Sequence, residues 1–165
     1  MVRVRFAPSP TGYLHIGGLR TALYNELFAL HNGGTFVLRI EDTDRTRYVE
    51  GAVESLLRTL ARCGLHPSEG PYLDEDGRVA ERGDYGPYVQ SARLDIYREY
   101  ADKLLAGGNA YSCFCTAERL EEMKAGQAAA KLPVMYDKRC RVLSAQEVAA
   151  EKARGTPHVI RMKMP

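Results

Sequence analysis

The sequence predicts an α/β protein, with half of a doubly wound parallel sheet over residues 1–90 and a smaller mixed α+β unit over residues 91–165. The first part rests on the order of its patterns. An alternating stretch at 2–6, a proline- and glycine-rich loop, a helical run and an apolar stretch at 35–40 follow one another. This is the order of a βαβ unit, in which the strands are parallel and the crossover is right-handed. The second part rests on short helical and strand-like stretches that do not repeat this unit.

Each element at the start of the chain has a local signal. Residues 2–6 alternate between apolar side chains and arginine, as a half-buried strand does. The first helix is predicted by a leucine face and by Asn32-Gly33-Gly34, a common helix stop. That face comprises Leu19, Leu23, Leu27 and Leu30. A second strand follows at 35–40.

A second helix is predicted from about Val49 to Cys63, with Gly64 ending it. Its buried face comprises Val53, Leu56, Leu57 and Leu60. Cys63 follows the same periodicity and is expected to pack in the core. The charged, glycine-containing stretch from Leu73 to Gly86 predicts an exposed loop.

The second part begins with a helix near Ser91, which is a suitable N-cap. The buried face of this helix is expected to comprise Leu94, Tyr97, Ala101 and Leu104. Further short elements are predicted at 110–114 (strand), 116–124 (helix) and 158–164 (strand). Ser144 and Glu147 have the spacing of a capping box and open another helix.

The composition excludes several classes of protein. The chain is 45% hydrophobic and 27% charged with a formal net charge of +2, so a nucleic-acid partner would require a local basic patch. Four cysteines are too few for a disulfide-stapled small domain, and no apolar run is long enough to span a bilayer. We therefore expect a cytoplasmic protein without membrane attachment. A parallel sheet of two strands is poorly covered, which predicts a fragment of a longer enzyme.

The stiffest stretch is RFAPSPTGYLHIGG, at residues 5–18. It lies between a strand and a helix, and ligands of open α/β sheets bind beyond the carboxyl ends of the strands. The N-terminus of the helix offers N–H groups to a phosphate. Gly17 and Gly18 let a ligand approach the backbone, and His15 can donate a hydrogen bond to a phosphate oxygen. The structural alternative is a connector in which His15 only caps the helix.

These residues resemble a known family. RFAPSPTGYLHIGG and the LRTALYN after it, RIEDTD at 39–44 and GPYVQSAR at 86–93 resemble the N-terminal part of glutamyl-tRNA synthetases, which are class I aminoacyl-tRNA synthetases. HIGG at 15–18 stands where the family carries its HIGH signature. The resemblance extends from Val2 to Pro165. It implies half of a Rossmann-type catalytic domain, followed by part of an insertion that binds the tRNA acceptor arm.

The resemblance implies ATP-dependent activation of L-glutamate, with Mg²⁺ accompanying ATP, and transfer of the glutamyl group to tRNA(Glu) by a monomer. The implied glutamate contacts are Arg5, Ala7, Ser9 and Glu41. The implied ATP contacts are Pro8, Thr11, Gly12, His15, Gly17 and Gly18, of which the last three are the implied catalytic residues. Asp44 and Arg47 are the implied tRNA contacts. Solvated charges are the structural alternative for Arg5, Glu41 and Arg47.

Three cysteines suggest a structural zinc site. Cys113, Cys115 and Cys140 supply three thiolates and leave one position of a tetrahedral site open. One version of the family's zinc module has a histidine where this chain has Val142. The other version has a tyrosine four residues before the last cysteine, which Tyr136 matches. Reduced thiols that hold no metal are the alternative.

Two other functions stay open at this point. Glutamyl-Q-tRNA(Asp) synthetases share the opening loop and the zinc region with the glutamyl enzymes. A non-catalytic nucleotide- or tRNA-binding module derived from the same fold is the second. It is kept open because KMSKS, the other class I signature, is absent from this sequence. For the same reason the chain alone is expected to be inactive unless the first half of the site suffices.

Overall fold

The computed structural model describes residues 1–164. Over these residues the chain forms six short strands, five α-helices and two 3₁₀ turns. The strands are β1 (Arg3–Phe6), β2 (Thr35–Leu38), β3 (Gly70–Leu73), β4 (Val79–Arg82), β5 (Ala110–Cys113) and β6 (Val159–Met162). The helices are α1 (Ile16–His31), α2 (Ala52–Arg62), α3 (Leu94–Ala106), α4 (Ala117–Ala129) and α5 (Ala145–Ala153). The 3₁₀ turns are Gln90–Arg93 and Arg139–Val142.

The chain divides into two compact units, Met1–Leu94 and a second that begins at Asp95. In the first unit β1 and β2 pair in parallel, from Arg3 opposite Thr35 to Phe6 opposite Leu38. The predicted βαβ unit with parallel strands is confirmed. Single parallel bridges from β2 and the residues after it, Val37 to Glu69 and Ile40 to Val89, extend the sheet on that side.

The core of the first unit lies between this sheet and its helices. The largest side chains buried there are Phe36, Leu38, Ile40 and Leu60. α2 buries Leu56, Leu57 and Leu60, as its periodicity predicts. The helix begins at Ala52 rather than at Val49, because Gly51 before it has a φ of 75° and the Val49 N–H is bonded to the Pro10 carbonyl at 2.9 Å. Cys63 is exposed beyond the helix end, so its predicted core position is wrong.

α1 contacts the sheet through small residues rather than through its leucines. Ala22 and Ala29 are buried, which lets the helix lie close to β1 and β2. Leu23, Leu27 and Leu30 are 41%, 51% and 69% exposed. Of the predicted leucine face, Leu19 is half-buried against the core, and the other three leucines are exposed.

The predicted exposed loop after Leu73 contains a hairpin. β3 and β4 pair antiparallel, and the turn between them closes at Gly77, whose φ is 76°. The Asp74 carboxylate accepts a hydrogen bond from the Arg78 N–H at 2.8 Å and fixes the turn. Charge and glycine in this stretch are consequences of a tight turn between short strands, and not of a long loop.

The region around Ser91 also differs from the prediction. Ser91 does not cap a helix but lies in the 3₁₀ turn Gln90–Arg93, and α3 begins at Leu94. No residue of α3 is buried within the described chain, and Leu94 is 61% exposed. The predicted buried face of this helix is therefore wrong for Leu94. For Tyr97, Ala101 and Leu104 it is correct only as partial burial.

In the second unit β5 and β6 form an antiparallel pair, from Ala110 opposite Met162 to Cys113 opposite Val159. α4 begins after Thr116, whose side chain accepts from the Arg119 N–H, and it runs to Ala129. The predicted capping box is confirmed: the Ser144 side chain accepts from the Glu147 N–H, and the Glu147 carboxylate accepts from the Ser144 N–H at 2.7 Å. Among residues 1–164, no helix is both long and apolar enough to cross a membrane.

The Glu69 carboxylate accepts hydrogen bonds from two other segments of the first unit. The two Nη atoms of Arg3 lie 2.6 and 2.7 Å from the Glu69 oxygens, and the Tyr88 hydroxyl donates to the same carboxylate at 2.7 Å. The Glu69 side chain is 14% exposed. The hydrogen bonds from Arg3 and then from Tyr88 lower the pKa of Glu69. This contact ties β1 to the segments on either side of the hairpin.

Replacing Glu69 with glutamine is expected to lower the melting temperature at pH 7 by several degrees and to weaken its dependence on pH. The folded pKa of Glu69 is depressed, so the carboxylate stabilises the fold above its unfolded pKa of about 4.3. That stabilisation is lost as the pH falls through the lower folded value. Thermal unfolding followed by circular dichroism between pH 7 and pH 3 measures both effects. Glu75→Gln, in the exposed turn, is the control, and identical curves for the two variants would contradict the prediction.

Candidate functional site

The loop after β1 borders an open cavity of about 400 Å³. Of the predicted ligand contacts, six line this cavity: Pro8, Ser9, Thr11, Gly12, His15 and Gly18. Its apolar floor is formed by Phe6, Ile40, Ala52 and Leu56. The loop is held in place by its own carbonyls, because Pro8 accepts from the Glu41 N–H at 3.0 Å and Pro10 from the Val49 N–H at 2.9 Å. The cavity therefore has a fixed rim at the carboxyl end of the parallel strands.

His15 is the N-cap of α1. Its Nδ1 accepts a hydrogen bond from the Gly17 N–H at 3.1 Å, and its side chain is exposed at the cavity. A neutral imidazole that accepts at Nδ1 carries its proton on Nε2. The helix cap thus uses Nδ1 of His15, and a contact with a ligand would use Nε2. The Nε2–H group is available to donate to an anion at the N-terminus of the helix.

Two glycines leave room for this arrangement. A Cβ at Gly17 would lie 3.0 Å from Cε1 and 3.1 Å from Nδ1 of His15, so a side chain there would push the imidazole away. A Cβ at Gly18 would lie 2.7 Å from Cδ1 of Leu14. Because neither residue has a Cβ, the imidazole of His15 and the side chain of Leu14 can lie against the start of the helix.

Charged side chains stand at the ends of both parallel strands. Arg5 Nη1 lies 3.9 Å from Glu41 Oε1, and Arg39 donates to the same oxygen at 3.0 Å. The Arg5 side chain is 49% exposed and that of Glu41 is 30% exposed, so both are accessible to a ligand. The Nε atom of Arg39 is buried and has no hydrogen-bond partner within residues 1–164. Arg5, Ala7, Gly17 and Glu41 are beside the cavity but are not part of its lining.

The loop after Glu41 is fixed from a second direction. The buried Asp42 carboxylate accepts from the Ser91 N–H at 2.8 Å and from the Ser91 hydroxyl at 2.6 Å. Two backbone hydrogen bonds join the same two segments. The Ile40 N–H donates to the Tyr88 carbonyl at 3.0 Å, and the Gln90 N–H donates to the Ile40 carbonyl at 2.8 Å. We call these contacts the Asp42–Ser91 clamp. It holds the segment that carries Glu41 against the 3₁₀ turn.

Asp44 and Arg47 lie outside the cavity and are paired with each other. The Asp44 carboxylate accepts from Arg47 Nε at 2.7 Å and from the Thr46 hydroxyl at 2.7 Å. Hydrogen bonds from Thr46 and then Arg47 lower the pKa of Asp44. The Arg47 side chain is 71% exposed, so its guanidinium is oriented by Asp44 and still faces solvent.

In the second unit, Cys140 comes together with Cys113 and Cys115, of which Cys115 lies 25 positions earlier in the sequence. The sulfurs of Cys113, Cys115 and Cys140 all lie within 4.8 Å of one another, and those of Cys115 and Cys140 are 3.5 Å apart. The Tyr136 hydroxyl lies 3.2 Å from Cys113 Sγ and 3.5 Å from Cys115 Sγ. Val142, at the position of the alternative histidine, is 84% exposed. We call Cys113, Cys115, Cys140 and Tyr136 the cysteine–tyrosine cluster.

The cluster fits a tetrahedral zinc ion. With Zn–S near 2.3 Å and Zn–O near 2.0 Å, tetrahedral geometry requires S···S separations of about 3.8 Å and O···S separations of about 3.5 Å. The Cys115–Cys140 separation of 3.5 Å and the Tyr136 oxygen–sulfur separations of 3.2 and 3.5 Å are close to these values. Cys113 and Cys140 are buried and Cys115 is half-buried, which suits a closed structural site.

The surroundings of the cluster lower the pKa of one of its thiols. Burial raises the pKa of Cys113, but hydrogen bonds from Tyr136, from the Cys115 backbone and from Arg161 outweigh it and lower the pKa to about 7. Burial raises the pKa of Cys115. Burial and then the contacts with Cys113 and Cys115 raise the pKa of Tyr136. The thiol of Cys113 therefore ionises more easily than an ordinary cysteine, which eases the binding of a cation.

Sequence reasoning missed several residues of these sites. Arg39 was assigned no role, although it lies two residues before Glu41 and so shares its side of the strand. Asp42 was also assigned no role, and nothing in the local pattern indicates its contact with Ser91. Arg119 and Arg161, which flank the cysteine–tyrosine cluster, were also missed. A cation near a set of thiolates could have been anticipated, but not which one.

Comparisons with known proteins agree with the resemblance. The family model described as tRNA synthetases class I (E and Q), catalytic domain, matches residues 1–165. A glutamate–tRNA ligase of Clostridioides difficile (strain 630) is 56% identical over 164 residues, which are 99% of this chain and 33% of that protein. A glutamate–tRNA ligase of Finegoldia magna is 57% identical over 166 residues, 99% of this chain and 34% of that protein.

Solved structures give the same result. The crystal structure of a glutamate tRNA ligase from Elizabethkingia meningosepticum CCUG26117, in complex with its amino acid, has a TM-score of 0.85 and 46% sequence identity. It is matched over 99% of this chain and 32% of its own length. This chain spans about a third of the length of the relatives it matches. The chain belongs to the class I tRNA synthetases for glutamate and glutamine, within their catalytic domain.

Proposed function

We propose that this chain is the ATP- and glutamate-binding part of a glutamate–tRNA ligase. The complete enzyme would activate L-glutamate as glutamyl-adenylate and transfer the glutamyl group to the 3′ end of tRNA(Glu). The observation that carries the proposal is the cavity at the carboxyl end of the parallel strands, with His15 at the N-terminus of α1 on its rim. A phosphate fits this helix terminus, and a carboxylate fits Arg5 beside it.

The first reaction needs no protein nucleophile. The α-carboxylate of glutamate attacks the α-phosphorus of ATP, the bond to the β-phosphate oxygen breaks, and pyrophosphate leaves. The chain would position the reactants and stabilise charge on the phosphates. His15 Nε2–H would donate to a phosphate oxygen, and Gly17 and Gly18 would let the nucleotide approach the backbone. Pro8, Thr11 and Gly12 would line the nucleotide side of the cavity. Mg²⁺ would accompany ATP.

Arg5, Ala7, Ser9 and Glu41 would hold the amino acid. A guanidinium pairs with a carboxylate through two hydrogen bonds, and a carboxylate accepts from an ammonium group. Arg5 and Glu41 are 3.9 Å apart at their nearest charged atoms, so they can bind the opposite charges of one glutamate. Arg39 keeps Glu41 oriented by its 3.0 Å hydrogen bond. Asp44 and Arg47 would contact the 3′ end of the tRNA, with Asp44 orienting the guanidinium toward a phosphate.

Zinc is the proposed ion of the cysteine–tyrosine cluster. Cys113, Cys115, Cys140 and Tyr136 would be its four ligands, and its role would be structural. The ion would hold the loop that carries Tyr136 and Cys140 against β5. We propose that the complete enzyme is cytoplasmic, in keeping with the four free cysteines. We also propose that it is a monomer, as the family resemblance implies.

Replacing Gly17 with alanine is expected to weaken ATP binding about tenfold, because the added Cβ displaces the His15 ring from the helix terminus. Isothermal titration with ATP measures the dissociation constant. Gly126→Ala is the matched control, since this glycine lies in α4 of the other unit and nothing lies within 4 Å of a Cβ at that position. Equal affinities for the two variants would contradict the assignment of this helix terminus to ATP.

The proposed function is tested by glutamate-dependent ATP–pyrophosphate exchange, measured on this chain and on the complete gene product, with and without tRNA(Glu). Exchange by the complete product, followed by glutamylation of tRNA(Glu), is the expected result. Transfer to tRNA(Asp) instead would favour a glutamyl-Q-tRNA(Asp) synthetase. Binding of ATP by the complete product without exchange would favour a non-catalytic binding module.

A further inference from the structure

Two arginines flank the cysteine–tyrosine cluster, and they differ in their partners. Arg119, on α4, forms an ion pair with Asp137, and its Nη1 lies 3.5 Å from Cys115 Sγ. Arg161, on β6, places its guanidinium carbon over the ring of Tyr136, 4.3 Å from the ring centroid. The charge of Arg119 is therefore already balanced by a carboxylate.

Arg161 has no such balance. Its titratable neighbours are the Cys113 thiol and the phenols of Tyr136 and Tyr111, and no carboxylate of residues 1–164 lies within ion-pair distance of it. Its Nε is buried without a hydrogen-bond partner in the described chain. Arg161 is half-buried, and a guanidinium taken partly out of water without a carboxylate beside it is stabilised by another negative charge. Cys113 is the neighbouring group that can carry this charge.

The charge of a loaded site supplies that partner. Cysteine binds zinc as thiolate, so three thiolates and one Zn²⁺ leave a net charge of −1 when the tyrosine is neutral. One guanidinium in contact with the site offsets this charge. The contact between the Arg161 guanidinium and the Tyr136 ring also restricts where the phenol oxygen can lie. Cation–π contact favours a cation centred over the ring.

We propose that Arg161 is a positioning residue of the metal centre, which holds Tyr136 as the fourth ligand and balances the charge of the three thiolates. The inference rests on the proposed zinc site and deepens it. Removing Arg161 should therefore weaken the metal site through Tyr136.

The test is the zinc affinity of this chain, measured with zinc sulfate in competition with a chromophoric chelator at pH 7.5. Loss of an outer partner of a metal ligand typically costs about 10- to 100-fold in affinity, and Arg161→Gln is expected to fall in this range. Arg161→Lys keeps the charge and should lose less. Lys163→Gln removes an equal charge from an exposed residue two positions further on and should bind zinc as the wild type does. Equal affinities for Arg161→Gln and wild type would overturn the inference.

A double-mutant cycle with Tyr136→Phe separates positioning from a general loss of stability. If Arg161 acts through Tyr136, Arg161→Gln should have little further effect in the Tyr136→Phe background. The absorption spectrum of the Co²⁺-loaded chain should change in the same way in both single variants, toward a site with one ligand replaced. Fully additive losses of affinity would overturn the inference while leaving the zinc proposal standing. A wild-type chain that binds no zinc would overturn both.

Discussion

His15→Ala is expected to lower the rate of glutamate-dependent ATP–pyrophosphate exchange by the complete gene product about 10²- to 10³-fold, with the fold intact. The imidazole Nε2–H is the donor on the rim of the cavity that the helix cap leaves free, since Nδ1 is occupied by the Gly17 N–H. Loss of one donor that stabilises charge in the transition state has an effect of this size. Initial rates at saturating ATP and glutamate, with circular dichroism for the fold, measure it.

The cap and the phosphate contact can be separated. Serine is a good N-cap but is too short to reach a bound phosphate, so His15→Ser should retain the stability of α1 and still lose exchange. His15→Ala should lose both the cap, which is worth about 1 kcal/mol, and the exchange activity. Near-normal exchange by His15→Ser would contradict the role of His15 in adenylation and leave it only the role of a cap.

Cys140→Ser is expected to weaken zinc binding by at least about 100-fold, beyond the effect of any outer partner, because it removes one of three thiolate ligands. It should also lower the melting temperature of the second unit, since metal binding adds directly to folding stability. Zinc content after dialysis and thermal unfolding with and without a chelator measure these effects. The chelator should destabilise the wild type and leave the variant unchanged.

Cys63→Ser is the matched control for that variant. Cys63 is exposed and lies in the other unit, outside the cluster, so its replacement should change neither the zinc content nor the response to the chelator. A Cys140→Ser variant that retains one equivalent of tightly bound zinc would contradict the ligand set. A wild type whose melting temperature ignores the chelator would contradict the structural role of the ion.

Local signals in the sequence predicted the elements that are held by local contacts. The glycines after α1, the Ser144 capping box and the alternation of β1 act over a few residues, and the structure has all three. The hairpin β3–β4 was missed because its strands are only four residues long, β3 begins with Gly70-Pro71, and β4 is largely exposed, so no alternation marks either strand. Ser91 was misassigned because a serine that caps a helix and one that donates to a distant carboxylate look alike in sequence.

The candidate sites divide in the same way. The loop residues of the nucleotide cavity are contiguous, and a strand–loop–helix order is enough to bring them to one edge of a sheet. The cysteine–tyrosine cluster joins Cys113 and Cys115 to Tyr136 and Cys140 through contacts that span 21 to 25 positions. Spacing alone did not select Tyr136 over the position of Val142. The family resemblance made that choice possible. The charged residues around the cluster depend on how β6 returns beside β5, which no local pattern encodes.

The Asp42–Ser91 clamp has a consequence for hydrogen exchange. The amides of Ile40, Gln90 and Ser91 lie at or beyond the ends of regular elements, yet each donates to the opposite segment. Such amides exchange with solvent only when the two segments separate. Their deuterium uptake therefore reports how often the peptide that carries Glu41 opens. A ligand that binds across Arg5 and Glu41 should slow uptake at these three amides together, with the amides of the exposed β3–β4 turn unchanged.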